Sequence, residues 1–336
     1  MVGATRAGKG RRLLAVLLPI SGLLLVFLIL LGLIAIFKPE NVENFVAAQN
    51  AKTILKQTVI VGIGALAMTM VIVSGGIDLS AGSVVALSAV GCAIVVRAAG
   101  ETVTGGTLIL AVLSAIAIGA MVGFFNGTVS ARLGVAPFIV TLGTMLIARG
   151  LAEGFADESM VRTPNSVLKT LMMRQPEPAW LLVAPGVWAM LAVLVAIVVL
   201  MRFTVFGRYI YALGANEQAA RYSGIKVART RVVIFALAGA LFGLAGVMSY
   251  AEIGDGDPTT AIALELDIIA AVVIGGASLS GGRGSPGGSM VGALIITLLY
   301  NGCVMLGVHD WVQKVLIGGI IVAAVWVDGV RAKRAG

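Results

Sequence analysis

Residues 53–96 read TILKQTVIVGIGALAMTMVIVSGGIDLSAGSVVALSAVGCAIVV, two apolar runs joined by a short segment that contains a pair of glycines. A helix needs about 20 mostly apolar residues to cross the hydrocarbon core of a bilayer. The runs Thr53–Val73 and Ser80–Val96 are near that length, and adjacent glycines favour a break in the helix between them. This stretch therefore predicts two membrane-spanning helices with a broken or re-entrant segment near residues 74–83.

The composition of the whole chain indicates the same environment. Of the 336 residues, 59% are hydrophobic and 12% are charged, whereas a soluble domain carries roughly 25% charged residues. Glycine is abundant, at 44 residues, and membrane helices use glycine to let their backbones approach closely. A surface that faces water on all sides cannot be built from this composition, so lipid must cover much of the protein.

Ten apolar runs are candidate spans, which predicts an all-α membrane protein with about ten transmembrane helices. The third, fifth and eighth runs are short, so their limits are the least well defined. The ten runs are Leu13–Phe37, Thr53–Val73, Ser80–Val96, Thr107–Val129, Ala136–Gly150, Trp180–Met201, Val232–Tyr250, Ile268–Ala277, Gly287–Val308 and Val312–Val327.

Positive charge indicates the orientation of the spans, because Lys and Arg are enriched in cytoplasmic loops. With the N-terminus inside, the cytoplasmic side receives 15 of the 24 Lys and Arg residues. Both termini are therefore expected in the cytoplasm, as a basic tail of residues 1–12 and a second tail of residues 329–336. Residues 13–328 are expected to form a single transmembrane domain, with an external loop at 151–179 and a cytoplasmic loop at 202–231. The length of the first run favours a retained span over a cleaved signal peptide.

Several functional classes lack the residues that they need. The chain has one histidine, His309, and its two cysteines lie in apolar runs, so neither a metal cluster nor a disulfide framework is expected. Residues 3–10 match most of a phosphate-binding loop, but Gly10 follows Lys9 where the motif requires Ser or Thr. No cofactor is therefore expected on this chain. The flanks of the spans explain the net charge of +8, so nucleic acid is not an expected partner.

The glycine break at residues 74–83 has two interpretations. Gly75 and Gly76 end one helix, and Asp78 or Ser80 can cap the next helix by accepting its free backbone N–H groups. Alternatively, the broken backbone lines a transport pathway, because broken backbone near the membrane must be shielded by protein or line a water-filled cavity. Asp78 is the one acid that we place beside or within the bilayer, and such residues are functional candidates.

A related phrase occurs in the second half of the chain. The pattern Gly-Gly-x-x-Leu-Ser is found at residues 75–80 and again at residues 275–280. Paired interruptions in two halves of a chain are typical of a transporter pathway built from internal repeats. Gly275 and Gly276 are therefore predicted to belong to the pathway break, although chance similarity in glycine-rich sequence is an open alternative.

Glycines spaced four residues apart predict close helix packing in lipid. They occur at 119, 123 and 127 in the fourth span, at 239 and 243 in the seventh, and at 288 and 292 in the ninth. Asn126 lies beside the first of these stripes and is interpreted as a polar tie between helices.

The 202–231 loop carries six positive charges and one acid, and its residues 207–225 read GRYIYALGANEQAARYSGI. Helix-forming residues around Ala219 and Ala220 predict a short helix whose small side chains can lie in a groove on a partner protein. Gly224 would let the chain turn back after this helix. An ordinary basic loop is equally consistent with the spacing.

Taken together, these motifs resemble the ribose/galactose/xylose-type family of ABC sugar permeases, the transmembrane subunits of binding-protein-dependent monosaccharide importers. The resemblance extends over residues 50–330, nearly the whole chain. It is carried by VSGGIDLSAGS at 73–83, PFIVTLGTM at 137–145, ALGAN at 212–216, AA at 219–220, SGI at 223–225, ELDIIAAVVIGG at 265–276 and LSGG at 279–282.

The resemblance implies a transport role and a set of partners. Two permease subunits, identical or paralogous, would form the pathway in the bacterial inner membrane, and an external binding protein would deliver a simple sugar. A cytoplasmic ATPase would bind ATP and Mg²⁺, so this chain would not be an enzyme. The element on which the ATPase docks would comprise Glu217, Ala219, Ala220, Gly224 and Ile225. Glu217 stands one residue earlier than in the family pattern and the usual terminal Leu-Pro is absent, which puts the detail of docking in question.

The nearest alternative is an ABC permease for branched-chain amino acids or nucleosides, which would share the architecture. An ion-coupled secondary transporter would need several titratable groups in the membrane, and Asp78 is nearly alone as a candidate. A membrane enzyme would need a nucleophile–base pair or a metal cluster, and the sequence contains neither pattern. The polar residues available to bind a sugar, none of them assigned as a ligand, are Ser80, Ser83, Asn126, Thr141 and Thr144.

Overall fold

The computed structural model describes the backbone of residues 4–100 and 102–335, and the side chains of most residues from 20 to 326. Within those residues the regular secondary structure is helical, and the loops between the helices contain an isolated β-bridge between Val161 and Gly256. The α-helices are α1 Ala4–Phe37, α2 Val42–Val46, α3 Ala48–Val73, α4 Ala81–Ala98, α5 Gly105–Leu133, α6 Pro137–Phe155, α7 Pro185–Phe203, α8 Val205–Ala215, α9 Glu217–Tyr222, α10 Val227–Ile253, α11 Leu264–Ile274, α12 Pro286–Met305 and α13 Asp310–Ala335.

Among the described residues, eight helices are long and apolar enough to cross a membrane. They correspond to the first seven predicted spans and to the ninth, which confirms the all-α membrane class. Their limits are Ile20–Phe37, Ala48–Val73, Ala81–Ala98, Gly105–Leu133, Pro137–Phe155, Ala179–Phe203, Val227–Ile253 and Pro286–Met305.

The other two predicted spans are not among these eight. The run Ile268–Ala277 falls on α11, whose 11 residues rise about 16 Å at 1.5 Å per residue. That is roughly half of the hydrocarbon thickness, so the prediction of a full crossing there is wrong: the helix ends before Gly275 and Gly276. The run Val312–Val327 falls within the 26-residue helix α13, which stays a predicted span.

The helix boundaries follow local signals. Proline stands at the first position of α6, α7 and α12, where its missing N–H is not needed. Gly134 and Gly254 end α5 and α10 in the left-handed conformation.

The loop predicted at 151–179 begins only at residue 156, because α6 continues to Phe155. The 202–231 loop is mostly helical, since it contains α8 and α9.

Helices α3, α4, α10 and α12 form the centre of the bundle. The buried share of the span is 83% for α3 and 61% for α10, but 11% for α1 and 22% for α5 and α6. Tyr250, Phe235 and Phe242 are among the largest fully buried side chains. The outer helices α1, α5, α6 and α7 expose many apolar side chains, as expected for a surface that faces lipid.

Side-chain hydrogen bonds join α3 to α12 at three levels. Hydrogen bonds of this kind between membrane helices contribute about 0.6–2 kcal/mol each, so together they hold the two central helices in register. The pairs are Asn50–Asn301, Thr58–Thr297 and Thr69–Ser289, with distances from 2.7 to 3.0 Å.

The predicted glycine stripes on α5 and α10 pack against each other, which confirms their structural interpretation. A Cβ atom on Gly119 would overlap the carbonyl oxygen of Gly239, and one on Gly123 would overlap that of Phe235. Gly292 on α12 meets the backbone of α11 in the same way. At these positions no side chain separates the two helix backbones.

We expect Gly123→Leu to lower the thermal midpoint of the protein in detergent, because a leucine forced between two backbones costs about 3 kcal/mol or more. The midpoint can be followed with a thiol-reactive dye, since Cys92 and Cys303 are free and buried. Gly143→Leu on α6 is a matched control, because a Cβ atom there meets nothing within 4 Å. Equal midpoints for the two variants would contradict the close α5–α10 contact.

Candidate functional site

The first predicted break lies at the end of α3 and closes as a turn. The Ser74 hydroxyl donates to the carbonyl oxygen of Val71 at 2.8 Å, and the Gly76 N–H donates to the same oxygen at 3.0 Å. Gly75 has a φ of +85°, which glycine adopts without the strain that a Cβ atom would cause. Residues 76–78 are not helical, and α4 begins at Ala81.

Asp78 is buried, with 1% of its surface exposed. Its Oδ1 accepts hydrogen bonds from the Ser80 N–H at 2.9 Å and from the Ser80 hydroxyl at 2.6 Å. The Ser80 oxygen in turn accepts from Asn126 Nδ2 at 3.0 Å. Ser80 makes no side-chain capping bond to α4, so Asp78 stabilises the turn into α4 by bonding the residue that precedes that helix. A buried polar group of this kind requires such partners.

Thr141 ties the same break to α6. Its hydroxyl oxygen accepts from the Leu79 N–H at 3.1 Å and lies 3.2 Å from the Ile77 carbonyl oxygen, to which it donates. Thr141 is four residues into α6, and Asn126 is seven residues before the end of α5. At 1.5 Å per residue, the break therefore lies roughly 6–10 Å inside these helix ends. It is surrounded by protein on three sides, from α4, α5 and α6.

Three of the five polar residues considered as sugar-binding groups lie together at this break: Ser80, Asn126 and Thr141. The Oδ1 atom of Asn126 is buried and has no hydrogen-bond partner within the described residues. Ser83 is buried in α4, and Thr144 donates to Val140 in its own helix. The bond from Asn126 to Ser80 agrees with the interpretation of this residue as a polar tie.

The second predicted break follows α11 and contacts the first. Gly276, Gly281 and Gly282 have φ values of +93°, +85° and +73°, so glycine avoids strain at each of them. The Gly282 N–H donates to the carbonyl oxygen of Val73 at 2.8 Å. A backbone hydrogen bond thus joins the residue two positions before the first Gly-Gly phrase to the residue two positions after the second.

Helix α8 packs onto both breaks at once. A Cβ atom on Gly214 would overlap the Val73 carbonyl oxygen and lie 2.5 Å from the Gly282 nitrogen. The Tyr211 hydroxyl donates to the Gly284 carbonyl oxygen at 2.9 Å, and burial raises the pKa of this phenol, so that it stays a donor. We call this contact of residues 73–76, 211–214 and 281–284 the glycine junction.

The short helix predicted for partner docking is α9. The Asn216 side chain caps it by accepting from the Ala219 N–H at 2.9 Å, and Gly224 turns the chain back with a φ of +86°. Ala220 is buried in a small cluster with Leu213 and Val227, against which Ile225 packs. Facing away from this cluster are the exposed residues Gln218, Ala219, Arg221 and Tyr222, the last with 88% of its surface exposed.

Glu217, the acid of the predicted docking element, is turned toward the chain itself. Its carboxylate lies 2.6 Å from Arg231 and 3.3 Å from Arg221. The first of these contacts ties α9 to the beginning of α10. Glu217 therefore helps to hold α9 in place, and its partly exposed side chain also borders the surface that Gln218, Arg221 and Tyr222 form.

At the other end of α10, residues 256–263 form a segment that we call the strap. Arg149 of α6 donates through Nη1 to the carbonyl oxygens of Pro258 and Thr260, the second at 2.9 Å. Arg149 is 12 residues into a 19-residue helix, which places a cation well inside a span. Charged groups in such positions are costly and need partners of this kind.

The strap also contacts the helix that follows the first break. A Cβ atom on Gly82 would overlap a carboxylate oxygen of Glu265 and lie 2.5 Å from the carbonyl oxygen of Ala261. Ala261 and Ala263 have φ values of +58° and +64°, a conformation that costs a non-glycine residue about 1–2 kcal/mol. Gly82 is two residues beyond Ser80, so the strap contacts the first turn of α4 directly beside the Asp78 network.

Sequence reasoning did not single out Arg149, Tyr211 or Gly214. A lone arginine at the end of the short apolar run 136–150 is a local signal that could have drawn attention to the first. The other two have no such signal, because the partners that give them a role are distant in the chain: Gly284 for Tyr211, and Val73 and Gly282 for Gly214.

Known proteins resemble this chain over most of its length. The family described as branched-chain amino acid transport system / permease component matches residues 50–325. The ribose import permease of Escherichia coli strain K12 is 38% identical over 305 residues, which cover 91% of this chain and 92% of that protein. The ribose import permease of Bacillus subtilis strain 168 is 41% identical over 300 residues, 89% of each chain. The galactose/methyl galactoside import permease of Salmonella typhimurium is 33% identical over 323 residues, 94% of this chain and 95% of that one.

Eight apolar helices of spanning length among the described residues, together with relatives that are import permeases, define a multi-pass membrane protein of the transport class. The chain belongs to the permease-component family whose profile it matches. Its curated relatives include ABC permeases, so the resemblance inferred from the motifs is confirmed.

Proposed function

We propose that this chain is the pathway-forming permease subunit of an ABC importer for a simple sugar, namely a pentose, a hexose or a polyol. One observation carries the proposal: the exposed helix α9 connects through α8 to the glycine junction, where both helix breaks touch. A partner that moves α9 therefore has a short packed route to the broken backbone. A pathway that switches between two states needs an element of this kind.

The proposal assigns the other functions to partner proteins. A second permease subunit, either a copy of this chain or a paralogue, completes the pathway. A cytoplasmic ATPase binds ATP and Mg²⁺ and docks on the exposed side of α9, and an external binding protein delivers the sugar. This arrangement places α9 and both termini in the cytoplasm and residues 13–328 in one transmembrane domain of the bacterial inner membrane. ATP hydrolysis then belongs to the partner and not to this chain.

A sugar is favoured over an amino acid as the cargo. The matching family is described by branched-chain amino acid transport, but relatives that align with about 90% of this chain are named for ribose, arabinose and galactose import. The uncharged hydrogen-bonding groups of Ser80, Asn126 and Thr141 at the first break also fit a neutral cargo rich in hydroxyl groups.

Gly224→Val tests the docking of the ATPase. A valine at a φ of +86° is strongly strained, although a Cβ atom there meets nothing within 4 Å. We therefore expect the turn after α9 to move and copurification with the ATPase subunit to fall at least tenfold, while the spans stay folded.

Gly134→Val is the matched control for this experiment. Gly134 has a φ of +66° and equally open surroundings, but it lies between α5 and α6, away from α9. It should impose the same local strain and leave copurification unchanged. Undiminished copurification of Gly224→Val, or an equal loss in Gly134→Val, would refute the docking assignment.

A further inference from the structure

We propose that a groove between the C-terminal end of α5 and the N-terminal end of α10 binds the phosphate headgroup of an anionic phospholipid. The groove has a volume of about 320 Å³, and we call it the basic groove. None of its lining residues belongs to the glycine junction, to α9 or to the strap. The residues that carry the argument are Phe124, Thr128 and Arg132 on α5, and Ala228, Arg229 and Val232 on α10.

The basic groove forms where two closely packed helices reach their ends. Along the pair, Gly119 and Gly123 bring the backbones of α5 and α10 into contact, and a Cβ atom on Gly127 would lie 2.8 Å from the Cα atom of Val232. Beyond Gly127 the facing residues include Ala131 and Ala228, whose small side chains leave the space between the helices open.

Two arginines give the groove its charge. Arg132 and Arg229 are exposed, and within the described part of the chain neither has a hydrogen bond or an ion pair. No carboxylate is among the described residues that line the groove. By contrast, Arg231 on the same helix is held by Glu217 at 2.6 Å. The planar guanidinium groups of Arg132 and Arg229 therefore remain available, and such groups match the oxygen atoms of a phosphate.

The surroundings of the groove select a lipid over a soluble phosphate compound. Met121, Phe124 and Phe125 on α5 are each exposed over half of their surface or more, and Val233 and Leu237 on α10 are exposed as well. Apolar side chains in such numbers on a spanning helix face acyl chains. Basic pockets between spanning helices near the membrane surface attract anionic headgroups. The groove thus joins an acyl-chain surface to a cationic rim, the two parts that a phospholipid needs.

Native mass spectrometry of the full-length protein in detergent tests the proposal with phosphatidylglycerol as the probe. We expect the wild type to bind phosphatidylglycerol at least tenfold more tightly than phosphatidylcholine, whose headgroup has no net charge. Arg132→Ala and Arg229→Ala should each weaken phosphatidylglycerol binding about fivefold, and together roughly 30-fold, which is the scale expected of one interfacial basic residue each.

Two further variants separate this site from general charge effects. Arg202→Ala removes a basic residue at the end of α7, where it stacks on Phe203 at 5.4 Å, and should leave phosphatidylglycerol binding unchanged. Ala228→Trp keeps both arginines but fills the groove, and should weaken binding as much as the double variant. Unchanged affinity in the double variant or in Ala228→Trp, or an equal loss in Arg202→Ala, would overturn the proposal. Competition by inorganic phosphate as strong as that by the lipid would overturn the choice of ligand.

Discussion

In Gly214→Val, ATP-dependent sugar uptake into proteoliposomes is expected to fall at least tenfold. Gly214 is the point at which α8 touches both helix breaks, and an added Cβ atom would overlap the Val73 carbonyl oxygen and lie 2.5 Å from the Gly282 nitrogen. These neighbours are backbone atoms, which cannot rotate away as a flexible side chain can. Overpacking costs 1–3 kcal/mol or more, so α8 or one of the breaks must move, and the contact that we propose transmits motion from α9 is lost.

Two comparisons distinguish lost coupling from a general loss of folding. Gly32→Val on α1 is the matched control at a helical glycine, because a Cβ atom there meets nothing within 4 Å, and it should keep wild-type uptake. Tyr211→Phe removes a single hydrogen bond from the same junction, that to Gly284 at 2.9 Å. Such a bond contributes about 1 kcal/mol, so uptake should fall by less than in Gly214→Val. Full uptake by folded Gly214→Val would show that the glycine junction does not couple α9 to the pathway.

Arg149→Ala is expected to release the strap and to reduce uptake at least tenfold. Each hydrogen bond from a charged donor contributes about 1.5–3 kcal/mol, and Arg149 donates to the carbonyl oxygens of both Pro258 and Thr260. Without these bonds, Ala261 and Ala263 are free to leave their left-handed conformations. Hydrogen exchange of the backbone amides at 256–263 should therefore become at least tenfold faster.

The exchange experiment contains its own reference. Amides of α12 should exchange as in the wild type, because the hydrogen bonds of Arg149 go to the strap and not to that helix. Arg97→Ala, at the end of α4, removes a charge elsewhere and should leave the strap protected. Arg149→Lys keeps the positive charge but lacks the planar set of N–H donors of a guanidinium group. The strap amides should therefore exchange at an intermediate rate in this variant. Unchanged amide hydrogen exchange at residues 256–263 in Arg149→Ala would show that Arg149 does not hold the strap in place.

The positions of the spans could largely be predicted from the sequence, because an apolar run of sufficient length is a local property. The same holds for the glycine stripes. Spacing alone predicts a smooth helix face, and Gly119 and Gly123 do lie against α10. The turns at Gly75 and Gly224 could also be predicted, since a helix end or a tight turn is favoured wherever glycine interrupts helix-forming residues.

The length of an apolar run is not sufficient to predict α11, which has about half the length of a spanning helix. An apolar stretch of ten residues at 268–277 is compatible both with a short span and with a buried helix that does not cross the membrane. The sequence around this stretch does not distinguish a short span from a buried helix. Glu265 and Asp267, which precede the apolar stretch, lie in the first turn of α11, where negative charge is favourable.

The glycine junction and the strap could not be predicted, because each depends on contacts between distant parts of the chain. The sequence around Gly214 does not show that this residue of α8 contacts Val73 and Gly282. The similarity of the two Gly-Gly phrases suggested a shared role, but it did not indicate that a backbone hydrogen bond joins the neighbouring residues Val73 and Gly282. Information of this kind resides in tertiary packing and not in local pattern.

The measurement that tests the central claim most directly is sugar uptake by proteoliposomes that contain this chain. Uptake should require three additions together: the ATPase subunit on the α9 side, ATP with Mg²⁺ on the same side, and a sugar-loaded binding protein on the opposite side. Omission of any one should reduce uptake to background. Uptake driven by a proton or sodium gradient alone, without the ATPase or the binding protein, would contradict the account.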